Sequence, residues 1–191
     1  MHAHDPLRLP DDLPVPVDDG ACNHLPGMAV PSLDMPLTSG GTVDLSTLAG
    51  RTVVYCYPRT GRPDQALPPG WDAIPGARGC TPQSCAYRDL NAEFARYGAG
   101  LYGLSTQSTA YQREAVDRLH LPFPLISDAD LRLTEALRLP TFVVAGWTLL
   151  KRLTLILDAG RIEHVLYPVF PPDADAERVV AWIAGHSAAD S

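Results

Sequence analysis

Gly79-Cys80-Thr81-Pro82-Gln83-Ser84-Cys85-Ala86-Tyr87-Arg88-Asp89 places one cysteine at a helix entrance and a second inside the helix that follows. From Ala86 onward apolar residues recur at Ala86, Leu90, Phe94 and Tyr97, with Arg88, Asp89, Asn91, Glu93 and Arg96 between them, the spacing of an amphipathic helix running to about Gly98. Pro82 belongs in the first turn because it has no N–H to donate, and Thr81 is a natural N-cap, so Cys80 falls at or just before the helix start. Unpaired amides and the positive end of the helix dipole at such a place favour a thiolate over a thiol.

Cys80 and Cys85 are five positions apart, which in an intact helix means roughly 7.5 Å of rise and about 140° of rotation. A disulfide needs Cα atoms within about 7 Å and converging Cβ vectors. The two thiols can therefore join only if the first turn unwinds, an arrangement suited to a catalyst whose first cysteine reacts elsewhere before the second reaches it.

Around this pair the chain reads as one α/β domain of 191 residues, 46% hydrophobic, large enough to bury a core without disulfide staples. Arg51 to Tyr57 is a buried strand ending at Pro58, Gly100 to Ser105 a second, Phe123 to Ile126 a third, and Leu149 to Leu157 and Arg161 to Val169 a pair joined by Asp158-Ala159-Gly160. Thr109 to Leu119, Ala129 to Leu137 behind an Asp128 or Ser127 cap, and Pro172 to Gly185 read as helices; Ser32 to Leu45 is a short hairpin turning at Gly40-Gly41, with a brief helix to Leu48. This alternation predicts a three-layer sandwich. Residues 1–26 read as an irregular N-terminal extension, and 27–187 as the domain, interrupted by a loop insertion at 59–79 that carries four prolines and four glycines.

The net charge of −7, a single lysine (Lys151) and the absence of a basic run exclude nucleic acid and anionic membranes as expected partners. The longest apolar run, Thr141 to Leu150, is far short of the ~20 residues that span a bilayer, and the N-terminus lacks the pattern of an export signal, so a cytoplasmic location is expected. The histidines show no metal-ligand spacing relative to the cysteines, and no metal is expected. Cys56, mid-strand among Val53, Val54 and Tyr55, reads as a small buried hydrophobe, and Cys22 as incidental to the extension.

The order Val53-Val54-Tyr55-Cys56-Tyr57-Pro58, then Gly79-Cys80-Thr81 with Cys85 and Arg88-Asp89, resembles the Q-class (bacterioferritin-comigratory) peroxiredoxins of the alkyl hydroperoxide reductase and thiol-specific antioxidant superfamily. Gly103-Leu104-Ser105, Phe123-Pro124-Leu125-Ile126-Ser127-Asp128 and Arg152-Leu153-Thr154-Leu155-Ile156-Leu157-Asp158 extend the resemblance, which runs from about Gly27 to Ile183. It implies a thioredoxin-like three-layer sandwich with peroxiredoxin elaborations. It also implies a peroxide substrate, Cys80 as the peroxidatic and Cys85 as the resolving cysteine, and a thioredoxin- or glutaredoxin-type reductant. No metal or organic cofactor is implied, and the chain would act as a monomer or homodimer.

One departure stands out. In that family the strand-end proline is followed by six residues before the reactive cysteine, with a threonine or serine three before it; here Arg59 to Gly79 is 21 residues and Ala77 holds the hydroxyl position. Thr60 is the expected replacement, folding back toward Cys80, while Tyr57 and Pro58 are expected to shape the pocket floor. Lowering a thiol pKa from about 8.5 to about 6 raises its thiolate fraction at pH 7 about thirtyfold, but a Brønsted slope near ~0.45 returns about tenfold of this. Fixed donors at the breaking O–O bond must supply the rest. Arg152, opening a hydrophobic strand at the family's active-site arginine position, is the leading candidate, with Arg138 at a helix end the weaker rival. Two other readings of the same residues stand beside this one: a thioredoxin-fold thiol-disulfide oxidoreductase, and a redox-sensing binding module switched by the Cys80 to Cys85 disulfide.

Overall fold

Val53, Val54, Tyr55, Cys56 and Tyr57 are all fully buried, so strand β3 (Arg51–Cys56) lies at the centre of a sheet covered on both faces. In the computed structural model, which describes residues 9–187, the sheet order is β5-β4-β3-β8-β9. Here β4 is Gly100–Ser105, β5 Leu125–Ser127, β8 Leu153–Asp158 and β9 Arg161–Leu166. β3, β4 and β5 run parallel, and β8 pairs antiparallel with both β3 and β9. Two small antiparallel ribbons stand apart: β1 (Met35–Pro36) with β2 (Thr42–Val43), and β6 (Thr141–Val144) with β7 (Trp147–Leu150).

The alternation of β3 divides the core. Val53, Tyr55 and Tyr57 face a cluster built with α1 (Cys80–Asp89), α2 (Asn91–Arg96), α3 (Thr109–Leu119) and α5 (Asp175–Ser187). Val54 and Cys56 face the other way, toward Leu133 and Leu137 of α4 (Arg132–Leu137), Met35 and Val43 of the first ribbon, and Cys22 and Leu25. The result is a thioredoxin-like sandwich of three layers. Each large side chain so buried contributes about 1.5–3 kcal/mol.

The expected helix from Cys80 to Gly98 is two helices broken at Leu90. The break sets Phe94 on the ring of Tyr87, centroids 5.6 Å apart, and Tyr87 in turn stacks on Tyr55 at 4.3 Å. This aromatic column clamps α1 onto the central strand. The expected strand Leu149 to Leu157 is likewise divided, because Leu150 pairs with Thr141 in the ribbon while Leu153 pairs with Cys56 in the sheet. Lys151 and Arg152 form the joint between them. β9 stops at Leu166, two residues before Pro168, which has no N–H for a ladder. Ala159 (φ 44°) and Gly160 (φ 74°) make the tight turn before β9; a Cβ on Gly160 would lie 2.3 Å from the Ser46 carbonyl oxygen.

Residues 9–26 contain no helix or strand, yet they are docked rather than loose: Cys22 and Leu25 are buried, and Asp19 accepts from Lys151 Nζ at 2.7 Å and Tyr167 OH at 2.8 Å. Residues 1–8 of the expected extension lie outside the described residues. The 59–79 segment has its own small core, Trp71 and Ala77 packed with Leu149 and Phe142, and a short 3-10 turn at Trp71–Ala73.

Candidate active site

Cys80 is the first residue of α1. The N-cap is Gly79 rather than Thr81, in the left-handed region at φ 105°, and a Cβ there would lie 2.3 Å from Pro172 Cγ. Only glycine fits that backbone so close to the turn that leads into α5. Cys80 is 3% exposed, and its Sγ lies within hydrogen-bonding reach of two donors: the Arg59 amide at 3.4 Å and Arg152 Nη2 at 3.3 Å. The thiol itself points its S–H at the Ala77 carbonyl, 3.7 Å away.

Arg152 sits in the joint between β7 and β8, and is itself 3% exposed. Its Nη2 has two hydrogens and four acceptors in range: Cys80 Sγ and the carbonyl oxygens of Gly76, Ala77 and Arg78 at 3.1–3.2 Å. The same nitrogen therefore donates to the Cys80 sulfur and clamps the end of the 59–79 segment. Nη1 donates to Gln83 Oε1. Gln83, one turn along α1 and on the same face as Cys80, donates its Nε2 to Asp175 Oδ2 at 2.8 Å, fixing its amide with the oxygen toward the guanidinium. Asp175 Oδ2 also accepts from Tyr87 OH at 2.8 Å and Thr154 Oγ1 at 2.7 Å.

Asp175 is buried, and burial raises its carboxyl above the ordinary value of 3.8 against the opposing effect of its three hydrogen bonds and of Arg152. A raised folded value means folding takes up a proton: the contribution to stability is complete below about 3.8 and is lost as pH rises through the folded value. Asp175→Asn, which keeps an acceptor for Gln83, Tyr87 and Thr154, is expected to flatten that part of the stability curve. Denaturant unfolding at a series of pH values from acid to neutral measures it; an unchanged slope would assign the pH dependence to other groups.

Arg59 brings its amide to the sulfur because its side chain is held elsewhere, the guanidinium 4.2 Å from the Tyr111 ring and 4.1 Å from that of Trp147. Pro58, buried, precedes it at the end of β3. Thr60 is buried too, but the structure does not bring its hydroxyl to Cys80: Oγ1 and the Thr60 amide both donate to Gln107 Oε1, at 3.3 and 3.2 Å, and its carbonyl accepts from Tyr111 OH at 3.0 Å. The chain turns so that the amide of residue 59, not the side chain of residue 60, meets the sulfur. Thr60→Val is therefore expected to lower unfolding stability by about 1 kcal/mol while leaving the chemistry at Cys80 within the same order of magnitude. Chemical denaturation and the rate of sulfenic acid formation read the two effects separately, and a rate loss larger than the stability loss would return a direct role to the hydroxyl.

Cys85 lies farther along α1, half-buried, and burial raises its thiol above the usual range. All four cysteines are free. Cys56 is on the opposite face of the sheet from Cys80, with its thiol raised well above the usual range by burial, and Cys22 is pushed up to about 12 by burial and by Asp19. The sheet thus separates the Cys80 to Cys85 pair from both.

The sequence reading missed Gln83, Asp175 and the Arg59 amide. The spacing of Gln83 from Cys80 was a usable signal, since positions three apart share a helix face. Asp175 carried none, because an acidic residue at a helix start is ordinary dipole chemistry.

The model of the Redoxin family matches residues 25–180. The chain belongs to the Redoxin family. Within the Redoxins it is similar to the Q-class peroxiredoxins. It is 31% identical over 149 residues to the chloroplastic peroxiredoxin Q of Oryza sativa subsp. japonica, covering 77% of this chain and 61% of that one, so it spans less than two thirds of the plant relative. With peroxiredoxin Bcp of Escherichia coli (strain K12) it shares 27% identity over 166 residues, 84% of this chain and 96% of the relative. Among solved structures, peroxidoxin BcpB from Mycobacterium tuberculosis superposes with a TM-score of 0.67 at 26% identity over 85% of this chain and 98% of that one. A mutant of Xylella fastidiosa PrxQ gives 0.69 at 21% identity over 86% and 98%, a likeness of fold. No helix among the described residues of this Redoxin chain is long and apolar enough to cross a membrane.

Proposed function

We propose that this chain is a thiol-dependent peroxidase acting on hydrogen peroxide or organic hydroperoxides. The observation that carries the reading is a cysteine at a helix N-terminus whose sulfur is within reach of both a buried guanidinium and a backbone amide. The thiolate of Cys80 attacks one peroxide oxygen and the O–O bond breaks. Sulfur is oxidised to the sulfenic acid, and the departing oxygen leaves as hydroxide or alkoxide and takes a proton from solvent. The guanidinium and amide supply fixed donors where charge moves during that displacement. Cys85 then attacks the sulfenic sulfur, expelling the oxygen as water and closing a disulfide, after the first turn of α1 unwinds. A dithiol reductant of the thioredoxin or glutaredoxin type, which gives up two electrons and becomes a disulfide, restores both thiols in a compartment that keeps thiols reduced, the cytoplasm. The working unit is a monomer or homodimer.

The test is consumption of hydrogen peroxide by a catalytic amount of protein with excess dithiol. Many turnovers per chain are expected. Arrest after about one equivalent would support the redox-sensing alternative, and turnover of a disulfide substrate without peroxide consumption would support the oxidoreductase.

A further inference from the structure

The free space at Cys80 is very small. A cavity of about 10 Å³, room for about one water molecule, touches Cys80 and is walled by Arg59, Gly61, Leu67, Trp71 and Arg78. A second cavity of about 360 Å³, open to solvent and lined by residues of the 66–78 stretch, shares Leu67, Trp71 and Arg78 with the first. Three side chains of the inserted segment therefore form a wall common to the small cavity at Cys80 and the larger chamber.

That wall is braced. Trp71 is 3% exposed and packs with Ala77 and Leu149, its ring 6.3 Å from that of Phe142, and Arg78 Nη1 donates to Asp72 at 2.9 Å. The last residues of the segment are held by Arg152 through the carbonyls of Gly76, Ala77 and Arg78. Leu67 is half-buried and is the least constrained of the three. A hydroperoxide must place its oxygens against Cys80 Sγ, which brings a branched or aromatic group on it up against this wall.

We infer that Leu67, Trp71 and Arg78 are specificity-determining residues that favour hydrogen peroxide and disfavour hydroperoxides with branched or aromatic groups. The inference rests on the peroxidase reading above and names its substrate class. Removing part of the wall joins the two cavities, and the outer chamber then accepts the organic group.

The experiment compares rates of sulfenic acid formation with hydrogen peroxide and with cumene hydroperoxide, in the natural chain, Leu67→Ala and Trp71→Leu. The second variant keeps an apolar plug where Trp71→Ala would risk the small core. Shape exclusion of this kind is worth about 10- to 200-fold. The natural chain is expected to favour hydrogen peroxide by such a margin, and the ratio to fall about tenfold or more in Leu67→Ala. Equal rates for the two peroxides in the natural chain, or a ratio unmoved in both variants, would overturn the inference and leave the peroxidase reading intact. Sulfenic acid formed with neither peroxide would overturn the peroxidase reading, and the inference with it.

Discussion

Cys80→Ser is expected to abolish peroxide turnover, by at least about a thousandfold, whereas Cys85→Ser consumes about one equivalent per chain and stops. A serine hydroxyl stays protonated near neutral pH, so the same donors act on a group with no comparable nucleophile. In Cys85→Ser the first step is intact. The cavity beside Cys80 has space for about one more heavy atom, and no thiol is present to displace the sulfenic oxygen. Trapping with dimedone should label Cys85→Ser after peroxide and leave Cys80→Ser unlabelled. Undiminished turnover in Cys80→Ser would overturn the assignment of the nucleophile. Full turnover in Cys85→Ser would move the resolving role to another thiol, and neither Cys22 nor Cys56 lies on the same face of the sheet.

Arg152→Ala is expected to slow sulfenic acid formation about 10²–10³-fold, the usual effect of removing a fixed donor from a site of developing charge. Alkylation of Cys80 by iodoacetamide, which breaks no O–O bond, should slow far less. The substitution also removes the partner of three successive carbonyls and of Gln83 Oε1, each buried acceptor left unmet costing about 1–3 kcal/mol, so a lower unfolding midpoint and faster proteolysis within residues 59–79 accompany the rate loss. Arg152→Lys separates the two roles, since a single ammonium keeps the charge but cannot span both Gln83 and the loop carbonyls. If peroxide reduction and alkylation fall by the same factor in Arg152→Ala, the arginine acts only on the availability of the thiolate, and peroxide orientation belongs to the Arg59 amide.

The thiol pair and its helix were legible because their signals are local. Pro82 restricts the first turn, the apolar spacing after Ala86 sets the buried face, and the five-residue separation of Cys80 and Cys85 forbids a bond while the helix is intact. Arg152 was legible through its place before a hydrophobic strand, and Cys56 through its apolar neighbours. Thr60 was not. Its hydroxyl was expected near the sulfur because it follows Pro58 so closely, but the direction of a loop side chain depends on what it meets, and here it meets Gln107 on the next strand's loop.

By itself the sequence determined the α/β alternation, the burial of the central strand and the placement of Cys80 at a helix start, each a consequence of short-range backbone preference and hydrophobic spacing. Only the tertiary structure decided which donors reach Cys80. Arg59, Gln83, Arg152 and Asp175 come from four separate parts of the chain, and their convergence depends on strand order, on the break between β7 and β8, and on the way α5 docks beside α1. It also decided that the inserted segment packs against the β6–β7 ribbon and lends Leu67, Trp71 and Arg78 to the cavity at Cys80. Trp71 is held there because Leu149 and Phe142 of a distant ribbon pack against it, and no local pattern in residues 59–79 encodes that contact.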